Sequence, residues 1–363
     1  MLKIVIAWVI FTGMPAVDLY HRFSENPHVN AVFNTDSLWD HWANTILTPC
    51  HFLCNAKKIE PDTHSNYQIS LIYDYDHHLF FKSLAAVALA PASYTLGMIL
   101  KGIAYLNSNY RKTIFQYVDW LHHGEISICK SQYQSLGISD TDDAVMEMAE
   151  CQGYQRKEGD KTHLYHEKEG LKAIAALLKK HRIPFWLDCG TCLGAYRYGG
   201  SIPWDNDVDL AILRPDFLNA YKALLHLDPE LYHVQDWSGR DRPMSYLKVY
   251  VKKTHTLIDI YTFHIDSEAK KIHYLIGHEN SIFLPDSWRE RERSCTKPSL
   301  IYEVFPLKLA LFEDTFLPVP RDTKKYLQLR YGENIEPVKI FNPVSQAYEK
   351  DLAHPYWQLN YAQ

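Results

Sequence analysis

Residues 185–213 read Phe185-Trp-Leu-Asp-Cys-Gly190-Thr-Cys-Leu-Gly-Ala-Tyr-Arg-Tyr-Gly-Gly200-Ser-Ile-Pro-Trp-Asp205-Asn-Asp-Val-Asp-Leu210-Ala-Ile-Leu213. This stretch decides the fold because it contains a complete strand–helix–strand passage. Phe185-Trp186-Leu187, entered after Pro184, is a short apolar run and reads as a buried strand. Gly190-Thr191 then opens a short helix through Leu193-Gly194-Ala195, and Gly199-Gly200 stops it. From Asp207 the apolar residues Val208, Leu210 and Ile212 alternate with Asp207, Asp209 and Ala211. That period of two predicts a strand carrying carboxylates on one face at its beginning.

Working outward, Tyr165 to His181 places Leu171, Ile174, Ala175 and Leu178 at helical spacing, with Lys172, Lys179 and Lys180 opposite, and so predicts an amphipathic helix. Tyr246–Val251 and Thr256–Phe263 read as the arms of a hairpin around Lys252-Lys253-Thr254-His255, and Asp259 lies inside the second apolar arm. The expected class is therefore α/β (α+β), a mixed sheet with flanking helices, preceded by a mostly helical N-terminal region. The polar, acidic run from Ser139 to Asp160 suggests a domain boundary, giving residues 1–150 and 151–363.

Burying Asp205, Asp207 and Asp209 together is costly, since each carboxylate raises the pKa of the next unless a cation intervenes. A bound Mg²⁺ or Mn²⁺ removes that cost, because hard divalent ions prefer oxygen ligands. Asp207 and Asp209, two apart on a strand, point the same way; Asp205 falls just before them, after Pro203-Trp204. If the hairpin lies beside this strand, Asp259 joins them as metal ligand or as the base for an acceptor hydroxyl. Upstream, Gly190 and Thr191 at a helix N-terminus offer backbone N–H groups to a phosphate. Arg197, between the two motifs, is the foremost further phosphate contact, with Lys248 and Arg240 or Arg242 behind it. A phosphate cradle beside a carboxylate metal cluster is what phosphoryl or nucleotidyl transfer requires.

Competing readings of the same residues are weaker. A calcium loop starting at Asp205 would need glycine where Leu210 stands and a closing glutamate where Asp216 stands. An aspartyl-phosphate enzyme would need an apolar strand before Asp205, where Ile202-Pro203-Trp204 stands. Cys189-Gly-Thr-Cys192 has redox spacing, but its central pair already serves the cradle.

Composition sets the outer limits. The 363 residues suggest about two domains. With 38 Lys plus Arg against 43 Asp plus Glu, a net charge of -5 and no long basic run, the chain is not expected to grip nucleic acid. The 25 Tyr, 15 Phe, 9 Trp and 19 His suit a protein that handles sugars or sits near membranes. Seven scattered cysteines argue for reduced thiols over a disulfide framework, and Cys50-His51 with Cys54 lacks a second pair for zinc. Two uncharged segments bear on a membrane: 4–17, long enough for a signal-peptide core, and 83–100, bounded by Phe80, Phe81 and Tyr105 with Pro91 at its centre. Packing of the second segment against another helix is the alternative. The chain has no Asn-x-Ser/Thr sequon, which leans away from a glycosylated lumenal protein.

The run from Phe185 to Leu210 resembles the core motif of the LicD, fukutin and fukutin-related protein family. Phe305-Pro306, Phe312, Leu317-Pro-Val-Pro320, Tyr326-Leu327 and Tyr331-Gly332 resemble that family's C-terminal end, so the likeness covers about residues 165–340. It implies a nucleotidyltransferase-like fold and metal-dependent transfer of a phospho-alcohol, such as phosphocholine or ribitol phosphate, from a CDP-activated donor to a glycan. With it comes an expected membrane-associated location, Golgi-type in a eukaryote or on the cytoplasmic face of a bacterial membrane. The first 150 residues match no part of the family's pattern, and the cysteine-rich zinc insertion of fukutin-related protein is missing. The alternatives are a scaffold of a glycosylation complex that no longer turns over, and a true nucleotidyltransferase that makes the activated donor.

Overall fold

The computed structural model describes residues 26–61, 67–73, 78–124, 130–138, 147–238, 242–276, 290, 292–293, 296–359 and 362. Segment 4–17 and Arg240 lie outside them. The chain divides into two compact units, one formed mainly by Met1–Glu125 and a larger one that begins at Ile126.

The first unit holds α1 (Pro27–Asn30), β1 (Ala31–Phe33), α2 (Leu38–Ile46), α3 (Thr48–Cys54), β2 (Lys57–Pro61), β3 (Tyr67–Leu71), α4 (Leu79–Ala104) and α5 (Ser108–His123). Beside the expected helices, a three-stranded sheet in the order β1-β2-β3 is present. Segment 83–100 forms the middle of α4, a helix of 26 residues that runs through Pro91, about 39 Å long at 1.5 Å per residue. Among the described residues it is the one helix long and apolar enough to cross a bilayer, and only 22% of its most apolar window is buried. Its buried stripe is made of small residues, Ser83, Ala86, Ser93 and Gly97, followed by Lys101 and Ala104. A Cβ on Gly97 would come within 2.4 Å of the Leu47 side chain, so glycine is what allows that approach. Lys101 is not a stray charge in an apolar helix: its Nζ donates to Asp40 Oδ1 at 2.6 Å and to Asn44 Oδ1 at 2.6 Å. Phe81, Leu84, Leu89 and Ile99 remain exposed on the other side.

The second unit begins earlier than the composition suggested. Tyr133, within α6 (Lys130–Ser135), and Ile138 are buried with Trp186, Phe263 and Phe305, and the Tyr133 hydroxyl donates to Asp216 at 2.5 Å. The polar run read as a linker is in part a strap: Met148 pairs with Leu309, and the N–H groups of Gln152 and Tyr154 donate to the carbonyls of Tyr196 and Arg197. Its charge pattern marked solvent exposure, whereas backbone hydrogen bonds hold it to the domain. The boundary therefore falls near residue 125 rather than 150.

This unit continues with α7 (Tyr165–Lys180), β4 (Phe185–Leu187), α8 (Cys189–Tyr198), β5 (Val208–Leu213), α9 (Phe217–Leu224), β6 (Tyr232–Asp236), β7 (Tyr246–Val251), β8 (Thr256–Asp266), β9 (Lys271–Tyr274), β10 (Ser299–Leu300), α10 (Ile301–Val304), β11 (Lys308–Phe312), β12 (Thr315–Val319) and α11 (Thr323–Tyr331). Seven strands form one mixed sheet in the order β10-β9-β8-β5-β4, with β7 also on β8 and β6 on β7. β5 runs parallel to β8, and the remaining pairs are antiparallel. The expected helix over 165–181, the strand at 185–187, the short helix after it and the hairpin of β7 and β8 are all present.

Every residue of β5 is buried, so its alternation separates two cores rather than core from solvent. Val208, Leu210 and Ile212 pack into one cluster with Leu171, Ile174, Ile258 and Ile260. Ala211 and Leu213 pack into the other with Trp186, Phe263, Phe305 and Tyr326. Asp209 lies on this second face, one step before its apolar part begins.

Candidate active site

Register brings the acids together. Asp209 on β5 pairs directly with Asp259 on β8, and Asp259 pairs with Lys248 on β7. Directly opposed residues share a sheet face, so Asp209, Asp259 and Lys248 make one row across three strands. Asp207, immediately before β5, joins the row's open end. Carboxylate oxygens of Asp207, Asp209 and Asp259 all lie within 4.8 Å of one another.

The electrostatics follow from that crowding. Burial, and after it the charges of Asp207, Asp259, Asp205 and Asp188, push the Asp209 carboxyl well above the usual carboxylate range. Asp205 is pushed up to about 7, first by burial and then by Asp207. Oδ1 of Asp209 is buried and accepts no hydrogen bond. An unsatisfied carboxylate oxygen in a group of three is a donor set suited to a hard divalent cation. Asp205 stands beside the trio, with its carbonyl on His163 Nε2.

The turn into α8 is fixed against the same row. Asp188 N–H donates to the Asp209 carbonyl at 3.2 Å, and the Asp209 N–H donates to Thr191 Oγ1 at 2.8 Å. Thr191, expected in the phosphate cradle, thus anchors the helix start to the acid-bearing strand. Gly190 is required by a closer neighbour than a phosphate: a Cβ there would lie 2.3 Å from Asp205 Oδ2. Cys189, immediately before Gly190, adopts a φ of 44°, a left-handed conformation costly for a residue with a side chain and commonest where function demands it. Neither Cys189 nor Cys192 is part of a disulfide; Cys192 is fully buried, which pushes its thiol up and makes it unreactive.

Arg197 does not face a phosphate. It is buried, and its Nε and Nη2 donate to the carbonyls of Ile335 and Glu336, each at 2.7 Å. Its place between the two motifs put it on α8, but in the last turn of that helix, where it fastens the C-terminal segment. Arg242, the other arginine weighed, is exposed.

Three supporting residues were not singled out from sequence. Glu313 receives Arg156 Nη1 at 2.7 Å, Nη2 at 2.8 Å and Lys168 Nζ at 3.1 Å. It also accepts from the Ser201 N–H at 3.0 Å, which braces the loop leading to Asp205. These partners outweigh burial and hold its carboxyl down at about 2. Asp188 accepts from the Tyr326 hydroxyl at 2.6 Å, and that oxygen accepts from Trp186 Nε1 at 2.9 Å. Tyr246 lies two residues before Lys248 on β7, and burial, followed by the Asp259 charge, raises its phenol well above the ordinary value. Asp188 was visible as the acid preceding Cys189; nothing local marks Glu313, whose partners lie far away in sequence.

The pattern of strand, helix start and acid-bearing strand matches a known domain. A family model described as LicD/FKTN/FKRP, nucleotidyltransferase domain, matches residues 182–322. Residues 182–322 are thus a LicD-type domain. Ribitol-5-phosphate transferase FKTN of Mus musculus is 30% identical over 181 residues, covering 48% of this chain and 34% of the relative. Ribitol 5-phosphate transferase FKRP of Mus musculus is 24% identical over 174 residues, 46% of this chain and 31% of the relative. An uncharacterized protein of Rickettsia typhi is 26% identical over 175 residues, 48% of each chain. The chain thus spans between about a third and a half of the length of these relatives. The LicD match begins after α7 and ends just before α11, so it contains the whole acid row.

Proposed function

We propose that this chain is a Mg²⁺- or Mn²⁺-dependent phosphotransferase that moves a phospho-alcohol, of the ribitol phosphate or phosphocholine type, from a CDP-activated donor to a hydroxyl of a glycan. The observation that carries this reading is the convergence of Asp207, Asp209 and Asp259 within 4.8 Å at the start of α8, in a domain shared with two ribitol phosphate transferases. Asp207, Asp209 and Asp259 would hold the ion, with Asp205 adjoining. When bound, the ion neutralises phosphate charge and lifts the repulsion among the carboxylates. The chain's own groups do the rest. Thr191 fixes the Asp209 backbone, Gly190 leaves room for the Asp205 carboxylate, and the first N–H groups of α8 point their partial positive charge outward to an anion. Asp259, at the end of the row toward Lys248, takes the acceptor hydroxyl's proton or completes the ligand set. Helix α4 supplies membrane association and keeps the domain near a membrane-borne glycoconjugate, on Golgi-type membranes or the cytoplasmic face of a bacterial one.

The test is incubation of the full chain with CDP-ribitol, CDP-choline or CTP, a glycan acceptor and Mg²⁺ or Mn²⁺. Release of CMP that depends on both a CDP-alcohol and the acceptor is the expected result. Release of pyrophosphate from CTP that depends on added ribitol phosphate or phosphocholine, whose phosphate takes up the cytidylyl group, would instead identify a maker of the activated donor, and ion binding without turnover would identify a scaffold.

A further inference from the structure

Lys248 stands directly opposite Asp259 in the β7–β8 ladder, and its Nζ lies 3.0 Å from Asp259 Oδ1 with side-chain exposures of 14% and 11%. The contact is one of charge more than of direction: at 3.0 Å it does not meet hydrogen-bond geometry at Oδ1. The ammonium is walled by two rings, 5.2 Å from the centre of Trp237 and 4.9 Å from that of Tyr246, which favour a cation through their faces. Tyr246 stands diagonally across the same ladder from Asp259. Asp259 is thus flanked by one neighbour and neutralised by another, and the neutralising one sits on a flexible stem.

We propose that Lys248 is an exchangeable counter-ion of the acid cluster: it neutralises Asp259 until a divalent ion is taken up, and then turns along its aromatic walls to meet the donor's diphosphate. The second half of this statement rests on the transferase reading; the first does not. Three carboxylates within 4.8 Å of one another repel unless a cation sits among them, and an ammonium and a divalent ion compete for the Asp259 carboxylate. The β5–β8 ladder holds Asp259 level with Asp209, so its place in the row survives the departure of the lysine. Once the ion is bound, Asp259 has less need of the ammonium, whereas an incoming diphosphate brings fresh negative charge to the same opening. Lysine suits this part better than arginine, because it acts as a point charge on a four-carbon stem and not as a fixed bidentate fork.

The experiment titrates Mn²⁺, and then inorganic pyrophosphate at saturating Mn²⁺, into the folded full chain and its Lys248→Met and Lys248→Arg variants. Removing the competing charge should make Lys248→Met bind Mn²⁺ about tenfold more tightly, while its pyrophosphate affinity falls about tenfold; Lys248→Arg should stay near wild type for Mn²⁺. A structural brace predicts the opposite, since losing it would disorder Asp259 and weaken Mn²⁺ binding. Unchanged or weaker Mn²⁺ binding by a folded Lys248→Met protein would therefore overturn the proposal, and Lys248→Gln is read by the same criterion if the Met variant does not fold. Tighter Mn²⁺ binding in a protein that consumes no CDP-alcohol would refute the transferase reading and leave the exchange standing. Unchanged Mn²⁺ affinity with transfer intact would do the reverse.

Discussion

Replacing Asp205 by asparagine isolates the electrostatic cost stored beside the acid row. Its carboxyl is raised from 3.8 to about 7, by burial and then by Asp207. At about 1.4 kcal/mol per pH unit, ionising it in the folded chain costs about 4 kcal/mol more than in the unfolded one. Asparagine abolishes the charge but keeps a partly buried polar group, so about 2–3 kcal/mol is recovered. For a domain of this size that corresponds to a rise in Tm of about 5–10 °C. The sign with pH is fixed by which state holds its proton more tightly. Because the folded state does, stability falls as pH rises from about 4 to about 7, and the penalty is complete above that. The gain in Asp205→Asn should therefore be large at about pH 8 and nearly absent at about pH 4. Thermal unfolding of both proteins with a chelator present reads it directly. Saturating Mg²⁺ or Mn²⁺ should narrow the gap by stabilising wild type more. An Asp205→Asn protein no more stable than wild type at high pH, or equally stabilised at both pH values, would refute the claim that this carboxylate is held under repulsion.

Asp207→Asn and Asp209→Asn should each lower CMP release by at least about a thousandfold while chelated protein unfolds no earlier than wild type; near-normal turnover in either would remove the acid row from the chemistry. Gly190→Ala drives a Cβ into the Asp205 carboxylate, 2.3 Å away, so Mn²⁺ titration should show about tenfold weaker binding with far less change in the fold. Arg197→Ala leaves the carbonyls of Ile335 and Glu336 without their donors and should cost about 3 kcal/mol in urea unfolding; a raised donor KM with undiminished stability would instead return this arginine to phosphate binding. Glu313 is held down at about 2, so its ion pairs contribute fully above its unfolded pKa and are lost as pH falls from about 4.5 toward 2. Acid unfolding of Glu313→Gln, followed by tryptophan fluorescence, should therefore lack the wild-type slope in that window.

Local periodicity carried the elements of the larger unit. The alternation at 207–213 and the helical spacing at 165–181 are properties of adjacent residues, and both are realised. Pairing was legible only for the hairpin, where β7 and β8 are close in sequence. That β5 would lie parallel to β8 with Asp209 level with Asp259 required a long-range contact, and the embedding of an acid in an apolar run was its only trace. Arg197 shows the opposite failure. Its nearness in sequence to the two motifs suggested a shared task, but a helix of three turns carries its ends to different neighbours. Glu313 was invisible because its role depends on Arg156, Lys168 and Ser201, each far away along the chain. The N-terminal unit yielded the apolar run of α4 but not the Asp40 partner of Lys101, since a buried charge pair leaves no local pattern.

The two-sided burial of β5 restricts how this site can change over evolutionary time. Each odd position belongs to the acid face or its apolar continuation, and each even position to the opposite core. Insertion or loss of a single residue between Asp207 and Leu213 would exchange the two sets, turning Asp209 into the core formed around Leu171 and Ile260 and presenting Leu210 where a carboxylate is needed. Descendants of this chain can therefore vary the acids only by substitution, never by slipping the strand. Length variation is confined to the segments outside β5, and a related sequence keeping two acids two apart within this alternation inherits the placement together with the fold.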